Sequence, residues 1–281
     1  MKSGSVVGGY MIRGGQAGKD RLDVLDLAYR DGTAELLRRS GVAESARCVE
    51  VGAGGGHASR QLAHAVGPLG RVVGVDIDPA IVDLARRDAE ADGLDNVEFQ
   101  TGDAVRLPFE DEHFDVAYAR LLLTHLPEPL DALREMVRVT RRGGLVVVED
   151  LDWDGVFCHP PAAGFDRYRS IHADLHRHRG GDPAIGPKLP GLFRRAGLTG
   201  IDLSLAHPAH VTGRAKTLHT LTLANIADAL LGAGLAERDE IAALHAELEA
   251  LAADPETVIA QPRIFQVWGR RGAEPAEVTS R

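Results

Sequence analysis

Residues 48–57 read CVEVGAGGGH, a short apolar run that ends in a cluster of glycines. The apolar run Arg47–Val51 predicts a buried β-strand, and the next residues, His57–Val66, have the spacing of a helix. Glycines at a turn between a strand and a helix let the backbone approach a ligand closely and direct the N–H groups of the helix toward it. The stretch therefore predicts an α/β fold with a ligand at this turn.

The spacing of the glycines discriminates between cofactors. Gly52, Gly54 and Gly56 give the pattern GxGxG, whereas a dinucleotide fingerprint, GxGxxG, needs a glycine where His57 stands. Two positions before the first glycine is Glu50, whose carboxylate would repel a pyrophosphate but attract an ammonium or sulfonium group. A dehydrogenase that binds NAD is therefore the least favoured interpretation.

Strands and helices alternate on both sides of this loop. An amphipathic helix is predicted at Asp20–Arg39, and further core elements are predicted as strands at Arg71–Val75, Val97–Gln100, Phe114–Ala119 and Leu145–Val148 and as helices at Pro79–Asp92 and Glu128–Val139. This alternation is typical of a parallel sheet with helices on its faces. After Asp150 a proline-rich connector leads to predicted helices near Asp166–His178, Leu189–Ala196, Leu218–Leu231 and Asp239–Leu251 and to predicted strands at Gly200–Leu205 and Arg263–Gly269.

The composition excludes several classes of protein. With 281 residues, 44% of them hydrophobic, the chain can bury a substantial core. Its net charge of −9 and the lack of any Lys/Arg cluster argue against nucleic acid or an anionic membrane surface as a partner. Two cysteines, Cys48 and Cys158, fit a reducing compartment, and the N-terminus does not resemble a secretory signal, so we expect a cytoplasmic location.

Further motifs follow the glycine loop in a fixed order. GVDIDP at residues 74–79 ends the second predicted strand, TGDA at 101–104 ends the third, and LPF follows at 107–109. Together with EVGAGGG at 50–56 they resemble the class I S-adenosylmethionine-dependent methyltransferases. The alternative, in which each acid is a helix cap and each glycine a turn, would have to hold independently for every motif.

The resemblance is strong over residues 46–150 and implies both a fold and a cofactor. The implied fold is a Rossmann-like, doubly wound, mostly parallel seven-stranded sheet with an antiparallel last strand and a helical cap. The implied cofactor is S-adenosylmethionine. In this family the acid after the second strand binds the ribose hydroxyls, the apolar residue beside it lies against adenine, and the acid of the third motif binds the adenine amino group. The residues that match the family's cofactor contacts are Glu50, Gly52, Ala53, Gly54, Gly56, Asp76, Ile77, Gly102, Asp103 and Ala104.

The flanking segments are similar to a branch of the family that acts on small molecules. YMIRGG at residues 10–15 is similar to its N-terminal signature, in which a leader folds over the cofactor and a tyrosine, here Tyr10, reaches the methionine end. DPAIG at 182–186 also resembles that branch, and the alternative for so short a motif is a local turn plus an edge strand. We expect one compact unit made of an N-terminal lid and first helix (1–40), a cofactor-binding core (41–150) and a cap that carries the last two core strands (151–281).

Methyl transfer is an in-line displacement at a carbon that the sulfonium already activates, so the protein mainly has to align the reactants. A base is needed only when the acceptor is a hydroxyl or an enol. His125, after the fourth predicted strand, is the candidate catalytic base, and the alternative is that it only packs near the cofactor. Arg120, at the end of that strand, could bind the cofactor carboxylate or pair with Glu149 or Asp150.

Aromatic residues outside the sheet are candidates for contact with the acceptor, because their area is costly to expose. We assign substrate binding to Trp153, Tyr168 and His172. His172 also belongs to an HxxxHxH pattern with spacing that can share a metal, but no further ligand is evident, and we predict no metal site.

The sequence thus predicts a methyltransferase that moves a methyl group to an O, N or C atom of a small, natural-product-like acceptor. It predicts no nucleic-acid or membrane partner and allows a homodimer. Two alternatives remain open: the same fold could use the cofactor for a non-transfer reaction such as a cyclisation, or it could bind the cofactor without turnover.

Overall fold

A computed structural model describes residues 15–272 of the chain. The strands in this part are β1 (Arg47–Val51), β2 (Arg71–Asp76), β3 (Val97–Thr101), β4 (Phe114–Arg120), β5 (Thr140–Asp152), β6 (Phe157–His159), β7 (Leu198–Ala206), β8 (Ala209–His210), β9 (Val258–Ala260) and β10 (Arg263–Arg271). The α-helices are α1 (Gly15–Ser40), α2 (His57–Val66), α3 (Pro79–Ala91), α4 (Pro129–Val139), α5 (Ala163–His178), α6 (Leu189–Arg195), α7 (Leu218–Gly232) and α8 (Arg238–Ala253).

Seven strands form the central sheet in the order β3-β2-β1-β4-β5-β10-β7. Strands β1 to β5 are parallel to one another, and β10 is antiparallel to both β5 and β7. This confirms the predicted doubly wound sheet with an antiparallel last strand. The strand order reverses between β1 and β4, and open α/β sheets bind ligands outside the carboxyl ends of the strands at such a point.

The centre of the sheet is buried on both faces, as the valine-rich strands predict. Val49 in β1, Ala117 in β4 and Val146 in β5 are all fully buried. The structure extends β5 well beyond the predicted Leu145–Val148, because its two ends pair with different strands. Phe114 pairs with Thr140 at one end, and Asp152 pairs with Arg263 at the other.

A second sheet, of three strands in the order β6-β9-β8, is separate from the central sheet and differs from the prediction of a connector after Asp150. Its strands have only two or three residues each, too few for an alternating pattern. They also pair across long sequence separations, such as Phe157 with Ala260 and Ala209 with Ala260. None of the helices between residues 15 and 272 is long and apolar enough to cross a membrane.

Helix α1 is held against the rest of the molecule by polar contacts along its length. Arg21 Nε donates to Thr222 Oγ1 of α7 at 3.0 Å, and the Tyr29 hydroxyl donates to the Pro262 carbonyl at 2.9 Å. Near its end, the Gly32 carbonyl accepts a hydrogen bond from the Gln266 side chain. The first half of the helix lines a cavity beside the glycine loop, and its second half packs in the core cluster that contains Cys48 of β1.

Candidate functional site

Two adjoining cavities lie at the carboxyl edge of the central sheet. The inner cavity, of about 110 Å³, lies between the glycine loop, α1 and the cap helices α5 and α7. The outer cavity, of about 720 Å³, lies beside the ends of β2 and β3. The residues that line both are Gly52, Asp76, Leu122, His125 and His176. The two spaces can therefore be spanned by one extended ligand.

The glycine loop after β1 needs its glycines for two reasons. Gly52, Gly54 and Gly56 have φ values of 76°, 50° and 72°, in the left-handed region that disfavours other residues. A Cβ atom on Gly56 would also lie 2.6 Å from the Phe99 ring. Gly52 N and Ala53 N donate to the Val75 carbonyl at 2.8 and 2.9 Å, so the loop is tied to the end of β2.

Glu50 belongs to β1, just before the glycine loop, and lies on the wall of the inner cavity. Its carboxylate accepts a hydrogen bond from the Ser59 hydroxyl. Burial raises the pKa of Glu50 to about 7, while Ser59 and the charge of Arg120 act in the opposite direction. A ligand with a positive charge would favour the ionised carboxylate, so this residue suits a cationic group in the cavity.

Asp76 ends β2 and lines both cavities. Its carboxylate accepts hydrogen bonds from Gly54 N at 2.8 Å and Asp78 N at 3.0 Å, and burial raises its pKa. Each carboxylate oxygen has a second lone pair, so both can still accept a bond from a ligand hydroxyl. The conformation is compatible with the predicted contact to two ribose hydroxyls.

The remaining cofactor candidates line the outer cavity. Ile77 is 65% exposed, which is unusual for a large apolar side chain and fits a ring lying against it. Gly102, Asp103 and Ala104 form the opposite part of the wall, and Asp103 is exposed there. The predicted cofactor residues thus lie along the two adjoining cavities. Their glycine loop, acidic side chains and exposed apolar side chain fit S-adenosylmethionine. The individual roles stay predictions.

Arg120 lines the inner cavity, but its guanidinium contacts α1 rather than the predicted acidic partners. Nη2 lies 3.1 Å from Asp26 Oδ1, and Nη1 lies 3.3 Å from the Thr33 hydroxyl. Glu149 instead accepts hydrogen bonds from Tyr118 and Gln266. The carboxylate in contact with Arg120 thus belongs to Asp26 of α1, whereas Glu149 acts on Arg120 through its charge without a hydrogen bond to it.

Asp150 holds the turn that presents His125. Its carboxylate accepts hydrogen bonds from Thr124 N at 3.1 Å and Leu151 N at 2.8 Å, and burial raises its pKa to about 7. His125 ends this 3₁₀ turn, and its ring stacks on His176 with the centroids 5.0 Å apart. Burial, with smaller contributions from His176 and Arg21, lowers the pKa of His125 well below its ordinary value. The ring is therefore neutral at neutral pH.

Two of the three predicted acceptor contacts lie on the wall of the inner cavity. Trp153 and His172 stack with their centroids 3.8 Å apart, and Trp153 Nε1 donates to the Arg169 carbonyl at 3.0 Å. Tyr168 is fully buried behind them, with its hydroxyl 3.3 Å from His219 Nδ1. A direct contact between Tyr168 and an acceptor is therefore wrong for this arrangement, because the rings in front of it form the wall.

Leu25 and Tyr29 of α1 and His219 of α7 are among the wall residues that the sequence did not single out. Helical spacing from Leu22 could have indicated the first two, since residues three and seven positions apart share one face of a helix. Tyr10 lies outside the described residues. Between residues 15 and 272 the structure contains no group of three or more His, Cys, Asp or Glu side chains arranged to hold a metal ion.

Known proteins resemble both the sequence and the fold. Residues 49–148 match the family described as "Methyltransferase domain". A demethylmenaquinone methyltransferase from Geobacillus kaustophilus is 35% identical over 113 residues, which are 40% of this chain and 48% of that protein. The chain spans less than half the length of the curated relatives it matches first.

Solved structures share the fold at low sequence identity. A Bacillus halodurans protein, provisionally classed as a methyltransferase, has a TM-score of 0.60 at 20% identity. The alignment covers 86% of this chain and 100% of that protein. The [4+2]-cyclase SpnF has a TM-score of 0.51 at 23% identity. The alignment covers 86% of this chain and 80% of the SpnF chain. Residues 49–148 thus match a methyltransferase domain, and S-adenosylmethionine is the cofactor that this match and the glycine loop imply.

Proposed function

We propose that this protein transfers a methyl group from S-adenosylmethionine to an O, N or C atom of a small organic acceptor. The observation that carries the proposal is the junction of the two cavities. The outer cavity has the acids and the apolar face that suit an adenosine group, and residues of α1, α5 and α7 line the inner cavity. A concave space between helices next to the cofactor suits a small molecule better than a macromolecule.

The cofactor supplies a methyl carbon that its sulfonium makes electrophilic, and the chain's own residues do the rest. Asp76 and Asp103 bind hydroxyl and amino groups, and Glu50 balances a positive charge at the inner end of the path. Leu22 and Leu25 of α1 exclude water from the inner cavity. Their combined effect is to hold the acceptor atom, the methyl carbon and the sulfur in line.

His125 is the base in this proposal, and its position on the wall of both cavities supports that role. Its neutral ring can accept a proton from an acceptor hydroxyl or enol. Its low pKa makes the ring a weak base, so it suits an acidic hydroxyl better than an alcohol. A neutral amine acceptor needs no such step, and its methylation would not depend on His125.

A non-transfer reaction is the second candidate function, because a [4+2]-cyclase shares this fold. That likeness concerns the fold alone. Mass spectrometry of candidate acceptors separates the two functions: methyl transfer adds one methyl group to the product, and a cyclisation leaves the mass unchanged.

Calorimetry with S-adenosylhomocysteine tests the cofactor site directly. The native protein should bind it, and Asp76→Asn should weaken binding about tenfold or more because charge-assisted hydrogen bonds are lost. Asp202→Asn, on the exposed face of β7, is the matched control and should bind normally. No binding by the native protein, or equal binding by Asp76→Asn, would contradict the proposal.

A second pair of variants tests the glycine loop. Gly54→Val should abolish binding, because Gly54 has a φ of 50° and its nitrogen donates to Asp76. Gly67→Val is the matched control, since Gly67 has a φ of 67° with nothing within 4 Å of an added Cβ. Both variants strain the backbone, so a loss of binding confined to Gly54→Val identifies the loop as the site.

A further inference from the structure

His57 stands directly after the glycine loop, where a dinucleotide fingerprint would have glycine, and the proposed methyl transfer gives it no role. It is the first residue of α2, and it lines the inner cavity. Its ring packs against the loop, since a Cβ atom on Gly55 would lie 3.0 Å from His57 Cε1. On its other side, His57 Nε2 lies 2.9 Å from Asp23 Oδ1 of α1. The imidazole therefore connects the glycine loop to the first helix.

The chemistry of this contact assigns the donor. Burial is the main cause that lowers the pKa of His57, while the charge of Asp26 acts in the opposite direction, so the ring is neutral at neutral pH. A neutral imidazole carries one proton, and an ionised carboxylate can only accept, so Nε2 carries the proton and donates it to Asp23. A hydrogen bond to a carboxylate is stronger than one between neutral groups.

A second hydrogen bond joins the same two helices one turn further along. Gln61 Nε2 of α2 donates to Asp26 Oδ1 of α1 at 3.2 Å. Asp26 follows Asp23 by three residues and Gln61 follows His57 by four, and residues at these spacings are neighbours on one face of a helix. The two acids of α1 thus match two donors of α2, which fixes both the position and the rotation of α1 beside the glycine loop.

Docked in this way, α1 packs directly against the glycine loop. A Cβ atom on Gly54 or Gly55 would lie 3.7 or 3.5 Å from Leu22 Cδ1. Leu22 and Leu25 also line the inner cavity. In the proposed arrangement the adenosine group lies in the outer cavity, so the methionine end of the cofactor lies in the inner one. The wall that α1 presents to that end therefore depends on how the helix is held against the loop.

We propose that His57 is a positioning residue for the cofactor: its hydrogen bond to Asp23 holds α1 on the glycine loop and so shapes the site for the methionine end. This role rests on the proposed placement of the cofactor and not on the transfer step. Asp23 is not part of the described wall of either cavity. It therefore acts on the cofactor only through His57 and α1, which makes it the more telling residue to replace.

Either residue of the pair can be replaced without leaving a buried charge unpaired. The Asp23 side chain is 33% exposed and keeps Lys19, whose Nζ lies 3.3 Å from Asp23 Oδ2. When Asp23 is removed, Lys19 keeps Asp88 of α3 at 3.1 Å. We therefore expect His57→Ala and Asp23→Ala to fold. His57→Gln is the conservative variant, because the amide nitrogen of glutamine can replace Nε2 as the donor.

Calorimetry with two ligands tests the role. The ligands are S-adenosylhomocysteine and 5′-methylthioadenosine, which lacks the amino-acid part. His57→Ala and Asp23→Ala should each weaken binding of S-adenosylhomocysteine about threefold to tenfold, as expected for one hydrogen bond, and the double variant should lose no more than either. His57→Gln should bind it as the native protein does. All of these variants should bind 5′-methylthioadenosine normally, which also shows that they are folded. His245→Ala, which removes a contact with Glu249 on α8, is the matched control and should bind both ligands normally.

The proposal is overturned if Asp23→Ala binds S-adenosylhomocysteine as tightly as the native protein, because His57 would then act only by touching the ligand. It is also overturned if His57→Gln is as weak as His57→Ala, if binding of 5′-methylthioadenosine falls in parallel, or if the two losses multiply in the double variant. Failure of the native protein to bind S-adenosylhomocysteine would count against the proposed function as well. Normal native binding with unaffected variants would count only against the role of His57.

Discussion

Arg120 joins the first helix to the sheet, and its removal should be more damaging than removal of its partner. The Arg120–Asp26 contact is 3.1 Å long, and the two side chains are only 9% and 16% exposed. Burial opposes the charge, but Tyr118, Glu149, Asp26 and Glu50 together raise the pKa of Arg120. One cation is thus shared by three carboxyl groups.

Because one cation serves three carboxyl groups, Arg120→Met and Asp26→Asn should lose different amounts of folding free energy. Arg120→Met leaves Asp26, Glu149 and Glu50 together without a cation, and breaking a buried ion pair in this way costs about 3–5 kcal/mol. Asp26→Asn leaves Arg120 beside the other two carboxyl groups, and the amide can keep a neutral hydrogen bond. We expect that variant to cost only about 1–2 kcal/mol.

Urea unfolding with linear extrapolation measures both losses. Arg134→Met is the control, because its ion pair with Asp131 is 60% and 55% exposed and should contribute less than about 1 kcal/mol. The reasoning is refuted if Arg120→Met lies within about 1 kcal/mol of the native protein, or if Asp26→Asn costs as much. Unchanged stability with lost binding of S-adenosylhomocysteine would assign Arg120 to the cofactor instead.

Two further predictions concern the glycine loop and its acid. Burial raises the pKa of Glu50 to about 7, so between about pH 4.5 and 7 the native state holds a proton that the unfolded chain has lost. The free energy of unfolding should therefore fall as the pH rises through this window, by up to about 3 kcal/mol from Glu50, and Glu50→Gln should flatten the profile measured by urea unfolding. Gly56→Ala should cost about 2–4 kcal/mol, because its Cβ would lie 2.6 Å from Phe99 at a φ of 72°. Gly93→Ala, at a φ of 69° with nothing within 4 Å, should cost only about 1 kcal/mol, and equal losses would show that backbone strain alone matters.

The glycine loop and the acids after the strands could be predicted because their signals are local. Gly52 and Asp76 stand at the ends of β1 and β2, and the carboxyl ends of parallel strands meet at one edge of the sheet. The arrangement of these residues follows from the strand pattern alone. The three-stranded sheet could not be predicted, because its strands are too short to show a period and pair with segments far away in the chain.

The sequence by itself determined the fold class, the cofactor loop and the direction in which the sheet presents its ligand. Only the tertiary structure decided that Arg120 meets Asp26, 94 residues away, and that His172 rather than Tyr168 forms the cavity wall. The physical reason is that a motif within one strand and turn is set by nearby backbone geometry. The rotation of α1, α5 and α7 about their axes depends instead on packing against residues far away in the chain, and that rotation selects the side chains that face the acceptor.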